Sequence, residues 1–187
     1  MAEAKPKTKL TYEDYCKTSD DERWELLDGE LVMPPSPNTA HQTTVVNLLS
    51  LLNTFVRERG LGQVFVAPYD VVLSDFNVLQ PDLLFVSAGR ERIITPQNIR
   101  GAPDLVVEVL SPSTASRDWR VKLDIYAQHG IQEYWLLDPE GERVWVMTRT
   151  GDELSEAGTY GRGDTLASNA VAGFSVGLDQ VFPSRQR

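Results

Sequence analysis

Three charged residues stand inside apolar patterns: Asp82 and Glu108 in strand-like runs, and Lys122 in a helix-like one. An ionised side chain is costly to bury unless it is paired or coordinates a metal. In the run from Pro81 to Val86, strand alternation sets Asp82, Leu84 and Val86 on one face. In the run from Asp104 to Leu110 it sets Asp104, Val106, Glu108 and Leu110 on one face. Projecting the segment from Ser116 to Gln128 at about 100° per residue places Lys122 between Ile125 and Tyr126, with Trp119 and Leu123 just beyond. Arg117, Arg120 and Asp124 take the solvent side.

Two strand carboxylates and a lysine are the parts needed for metal-assisted hydrolysis of a phosphodiester. The carboxylates hold Mg²⁺ with its waters, the metal polarises a phosphoryl oxygen and acidifies a bound water, and the lysine orients that water or stabilises developing charge. The same pattern also fits a buried Glu108–Lys122 ion pair, with Asp82 only capping a turn after Pro81.

The elements that must position these groups follow from the apolar rhythm. Leu10 to Cys16 reads as a short helix, and Trp24 to Val32 as a hairpin turning at Asp28-Gly29. After a proline-rich break at residues 34–37, Asn38 or Thr39 caps a long helix that Gly60 ends. Strands follow at Gln63–Ala67, Asp70–Leu73, Pro81–Val86 and Asp104–Leu110, the last two nearly continuous apolar runs of the kind covered on both faces. A second helix over Ser116–Gln128 closes at Gly130, and Glu133–Asp138 forms another buried strand. A hairpin of Arg143–Thr148 and Glu153–Ala157 crosses at Gly151-Asp152. The expected class is α+β: a mixed central sheet flanked by two main helices, with β-hairpins at both ends.

The 187 residues carry 41% hydrophobic and 24% charged side chains, which suits an ordinary globular core. Eighteen Lys plus Arg against 27 Asp plus Glu give a net charge of −9, so bulk charge does not draw the protein to nucleic acid. Only residues 90–122, with six basic and four acidic groups, are net positive. The single cysteine, Cys16, excludes an internal disulfide framework and a cysteine-pair zinc site. No apolar run approaches the roughly 20 residues of a membrane span, and the polar start lacks a signal-like apolar region, so a cytoplasmic protein is expected. Nucleophile elbows, P-loops, His-Glu-x-x-His and dinucleotide glycine fingerprints are all missing.

Glu25-Leu-Leu-Asp-Gly-Glu30, His41, Gln80-Pro-Asp82, the stretch from Ala102 to Thr114, Asp118, Lys122, Tyr126 and the stretch from Glu133 to Pro139 together resemble the Uma-two family of the PD-(D/E)XK restriction-endonuclease-like superfamily. The resemblance covers about the whole chain. It implies a restriction-endonuclease-like core, Asp82 and Glu108 as ligands of Mg²⁺ or Mn²⁺, and metal-dependent cleavage of nucleic acid, with DNA as the expected substrate. The superfamily pattern wants lysine two residues after the second acid, where this chain has Leu110, so Lys122 supplies the amine from the neighbouring helix. The expected division is one domain over 1–187: helix and hairpin at 1–38, nuclease-like core at 39–139, β extension at 140–187. A homodimer is the expected assembly. The competing reading is a catalytically inactive nucleic-acid- or protein-binding module on the same fold.

Other residues have supporting roles. Glu30 is expected to complete the metal site, with Glu25 as fallback, though Glu30 also reads as a solvated hairpin residue. His41 can reach a site mouth, carry a proton or bond a nearby carbonyl. Gln80 is placed on the Asp82 face toward a metal-bound water or phosphate. Ser111 and Ser113 can offer hydroxyls to phosphate or simply lead into a helix cap. Arg117 and Arg120, with Arg90, Arg92 and Arg100 upstream, are the phosphate-contact candidates, each also readable as a solvated charge. Trp119, Tyr126, Tyr134 and Trp135 are assigned to the core.

Overall fold

The computed structural model describes residues 8–19, 22–111 and 118–184. A one-turn helix α1 (Tyr12–Tyr15) leads to the hairpin β1 (Glu25–Leu27) and β2 (Glu30–Val32) and then to the long helix α2 (Thr39–Arg59). Strands β3 (Gly62–Val66), β4 (Val71–Ser74), β5 (Asn77–Leu79), β6 (Leu83–Ser87), β7 (Ile99–Arg100) and β8 (Leu105–Val109) follow. A π-helical turn at Asp118–Lys122 runs directly into α3 (Leu123–Gln128). The chain ends with β9 (Glu133–Asp138), β10 (Arg143–Thr150), β11 (Glu153–Gly161), β12 (Thr165–Ala167) and β13 (Ser175–Gly177).

The main sheet is mixed and six-stranded, in the order β11-β10-β9-β8-β6-β3. Only the β8–β9 pair is parallel, with Glu108 opposite Leu136, and it is the pair whose connection carries Lys122. Pleating sorts β8 cleanly: Leu105, Val107 and Val109 join the core under α2, while Val106 and Leu110 join the core under α3. Glu108 shares the face of Val106 and Leu110, so it points toward α3 and not α2. The helix α2 contributes Val45, Leu48, Leu52 and Val56 to its side, at the spacing its apolar stripe dictates.

Capping fixes both ends of α2. Asn38 Oδ1 accepts the His41 backbone N–H at 2.9 Å, and Gly60 takes the left-handed conformation at φ 61°. Two residues on, Gly62 opens β3 at φ 145°, where a Cβ would run into the Val86 carbonyl.

The N-terminal hairpin forms where the turn at Asp28-Gly29 places it, and β2 and β1 pair onward with β5, β4 and β7 in a second sheet, of five strands. Its strands are too short to be stable as an isolated hairpin, and pairing with β5 gives β1 a neighbour on both sides. The helix expected over Ser116–Gln128 is split, because Asp118–Lys122 winds as a π turn and α-helix begins only at Leu123; residues 116 and 117 lie outside the described part. The C-terminal extension supplies Leu166, Val171, Phe174, Val176 and Phe182 to the core beneath α2.

Candidate active site

Five segments of chain meet at a small cleft of about 40 Å³, to which β1 brings Glu25, the first turn of α2 brings His41, and β8 brings Glu108. Asp82 reaches it from the residue ahead of β6, and Lys122 from the last position of the π turn. Pro34, Pro35 and Pro37 form a rim, a stretch of chain with little freedom to close over the opening.

Lys122 is 4% exposed, and its Nζ donates to Glu108 Oε1 at 2.9 Å and to Glu25 Oε1 at 3.0 Å. Aromatic packing holds the turn in place, as Trp119 meets Trp145 of β10 edge-on with ring centroids 4.9 Å apart. Glu108 Oε1 also accepts the Tyr126 hydroxyl at 2.8 Å. Burial, and then the charge of Glu108, push the Tyr126 phenol well above its ordinary pKa, so it stays a proton donor. Glu25 Oε1 takes a further bond from the Gln80 backbone N–H at 2.8 Å.

Asp82 is fixed by the neighbouring strand. Its Oδ2 accepts the Val109 N–H at 2.8 Å and lies 3.2 Å from His41 Nε2. Because Val109 follows Glu108 directly, that one bond sets the spacing of the two carboxylate-bearing segments. His41 Nε2 thus faces a carboxylate at the cleft rather than a carbonyl, and its Nδ1, like Thr44 Oγ1 one turn on, is buried without a partner among the described residues.

Glu25, Asp82 and Glu108 are hard oxygen donors, the type that Mg²⁺ and Mn²⁺ accept. Among the described residues no three His, Cys, Asp or Glu side chains converge closely enough to hold a metal by themselves. Two of these carboxylates would suit a cation that takes the rest of its shell from water, the usual habit of Mg²⁺.

The other sequence candidates divide. Ser111 lines the cleft, while Ser113 and Arg117 lie outside the described residues. Glu30 is corrected: it is exposed on β2 beside a different cleft, with Lys9, Asp28 and Val121, and the N-terminal acid at this site is Glu25. A hairpin strand sends neighbours to opposite sides, and the three-residue β1 points Glu25 inward. Gln80 is corrected too. It precedes the strand, so alternation does not reach it, and its amide turns away to Tyr15, Asp70 and Arg23. Arg120 is exposed, Arg90 is tied to Asp104 at 2.8 Å, and Arg100 lies over the Tyr12 ring. Arg92 is exposed and donates to Gly89 O. Arg23, which lines the cleft, had no sequence signal: it sits in a polar stretch ahead of the hairpin with no periodicity to mark it.

Comparison with known proteins agrees with this fold. A solved structure from Anabaena variabilis, described as "a putative nuclease belonging to DUF820", superposes with a TM-score of 0.76 at 19% identity, covering 92% of this chain and 97% of that one. The fold is thus restriction-endonuclease-like. Two Synechocystis proteins described as uncharacterized, sll1609 and slr1290, are 25% and 26% identical, over 79% and 95% of this chain and 90% and 93% of their own lengths. The Uma2 family pattern, described as "Putative restriction endonuclease", matches residues 10–179, from just ahead of α1 to just past β13, and the chain belongs to that family.

Proposed function

We propose that the protein is a Mg²⁺- or Mn²⁺-dependent endonuclease that hydrolyses phosphodiester bonds in DNA. The observation that carries the reading is the buried Lys122 ammonium held by Glu25 and Glu108 at a cleft that Asp82 also lines. In this reading Asp82 and Glu108 hold the cation. Once bound, it supplies Lewis acidity toward the phosphoryl oxygen and a more acidic water. The chain does the rest. Two carboxylates keep Lys122 charged and aimed, so its ammonium faces the negative charge that develops at phosphorus and positions the attacking water. Tyr126 and His41 keep Glu108 and Asp82 in single orientations, which lowers the reorganisation needed at the moment of reaction. The closed loop of Val109 N–H and Asp82 holds the metal ligands at constant spacing.

A non-catalytic reading has one observation in its favour: the buried Lys122 ammonium already has carboxylate partners in Glu25 and Glu108. Calorimetric titration of Mn²⁺, followed by a supercoiled-plasmid nicking assay with Mg²⁺ or Mn²⁺, separates the two. Asp82→Ala and Glu108→Ala should each remove the metal heat and lower cleavage by about a hundredfold or more, the scale of losing one group that stabilises transition-state charge. A parent that neither binds Mn²⁺ nor nicks DNA would be the binding module instead.

A further inference from the structure

Arg23 is half-buried at the cleft that holds Glu25, Asp82 and Glu108, yet among the described residues it makes no ion pair. It is held by neutral groups. Its Nε donates to Gln80 Oε1 at 3.0 Å and its Nη2 to the Gln80 carbonyl at 2.7 Å. Gln80 cannot turn its amide away, because Nε2 donates to Asp70 Oδ1 at 2.8 Å and to the Tyr15 hydroxyl at 3.3 Å. The amide oxygen must therefore face Arg23. A guanidinium carries five N–H donors in a rigid fork. Gln80 fixes one edge of that fork, two residues ahead of Asp82, and leaves Nη1 without an acceptor among the described residues. A partly desolvated cation fixed in orientation, unpaired and beside a candidate metal site is a place for an anion.

We infer that Arg23 is a phosphate anchor of the cleft, binding a backbone phosphodiester oxygen of the nucleic acid, and that Gln80 is the positioning residue that holds the guanidinium in place. The inference rests on the nuclease reading and names the contact by which that cleft grips its substrate. It also accounts for a protein of net charge −9 binding a polyanion: the attraction is local, from one oriented guanidinium and the bound cation, and not from a basic face.

The test is fluorescence anisotropy of a fluorescein-labelled DNA duplex with the full chain in Ca²⁺, which permits binding without turnover, over a range of KCl. Arg23→Ala should weaken binding about tenfold and lower the slope of log affinity against log salt by about 0.9, the value of one lost phosphate contact. Arg23→Lys should restore the slope but only part of the affinity, because charge returns without the fork. Gln80→Ala should weaken binding with the slope retained, since the guanidinium is present but no longer held. Should Arg23→Ala fail to fold, Arg23→Gln, which keeps an amide donor for the Gln80 carbonyl, gives the same slope reading. A parent that binds and cleaves DNA, beside an Arg23 variant of unchanged slope, would make Arg23 a structural residue and overturn the inference alone. A parent that binds no DNA would overturn the nuclease reading and the anchor with it.

Discussion

At the scale of single residues, Lys122 is a buried cation shared by two carboxylates as well as the proposed catalytic amine, and its substitutions have to be read with both in mind. Lys122→Met removes the ammonium that Glu25 and Glu108 share, at a cost of about 3–5 kcal/mol. Glu25→Gln in the same chain should recover part of the melting temperature but none of the cleavage, so a double-mutant cycle by calorimetry separates charge balance from catalysis. Tyr126 behaves differently. Burial raises both the Tyr126 and Tyr15 phenols above the ordinary tyrosine value, so both stay neutral in the native state while the unfolded chain ionises above about pH 10. Their contribution is complete below pH 10 and falls as pH rises. Tyr126→Phe should therefore cost about 1.5–3 kcal/mol at neutral pH, for the bond to Glu108, and make the loss of stability above pH 10 shallower in chemical denaturation. Lys122 and Glu108 were legible because a charge in an otherwise apolar face violates the pattern that places it. Gln80 was misplaced because pleating was extended beyond the first residue of β6.

Among the elements, the joint between α2 and β3 sets where His41 and the Asp82 strand lie. Gly62→Ala forces a side chain into the Val86 carbonyl at a φ of 145°, and should cost more than about 2 kcal/mol. Gly60→Ala, at φ 61° with open space around it, should cost only about 1 kcal/mol. Equilibrium urea unfolding of the two variants checks the ordering. Long elements were legible: α2 with its cap and glycine stop, β9 at the residues where its apolar run lies, and the β10–β11 hairpin. The pieces that were not are short. Two-residue β7 and three-residue β5 carry no periodicity to read, and they exist because β4 supplies pairing partners on either side. A π turn is equally silent, since its spacing differs from the α-helix by one residue in a stretch where side chains alone were being projected.

For the whole molecule, one buried carboxylate ties the C-terminal extension to the central sheet. Glu133 of β9 accepts bonds from Trp135 Nε1 at 2.6 Å, Ser168 Oγ at 3.0 Å, and the backbone N–H groups of Asn169 at 2.8 Å and Ala170 at 2.6 Å. Every partner is a donor. Glu133→Gln puts an amide N–H₂ against them, and should cost about 3 kcal/mol while exposing the chain after Gly161 to protease before the core unfolds. Limited proteolysis with mass spectrometry locates the cut. The division of the strands among sheets was hidden for a similar reason: which hairpin joins which sheet is a long-range pairing, and alternation within a strand carries no information about its neighbour.

The bond between Lys122 and Glu25 spans 97 residues of sequence. A chain emerging from the ribosome presents Glu25, Asp82 and Glu108 before the lysine exists, and even then the amine arrives on the connection to β9, which must close in parallel beside β8. Parallel closure is slow relative to hairpins. A half-made copy therefore carries Glu25, Asp82 and Glu108 without the ammonium that two of them hold, and the cleft is complete only when synthesis has passed Lys122.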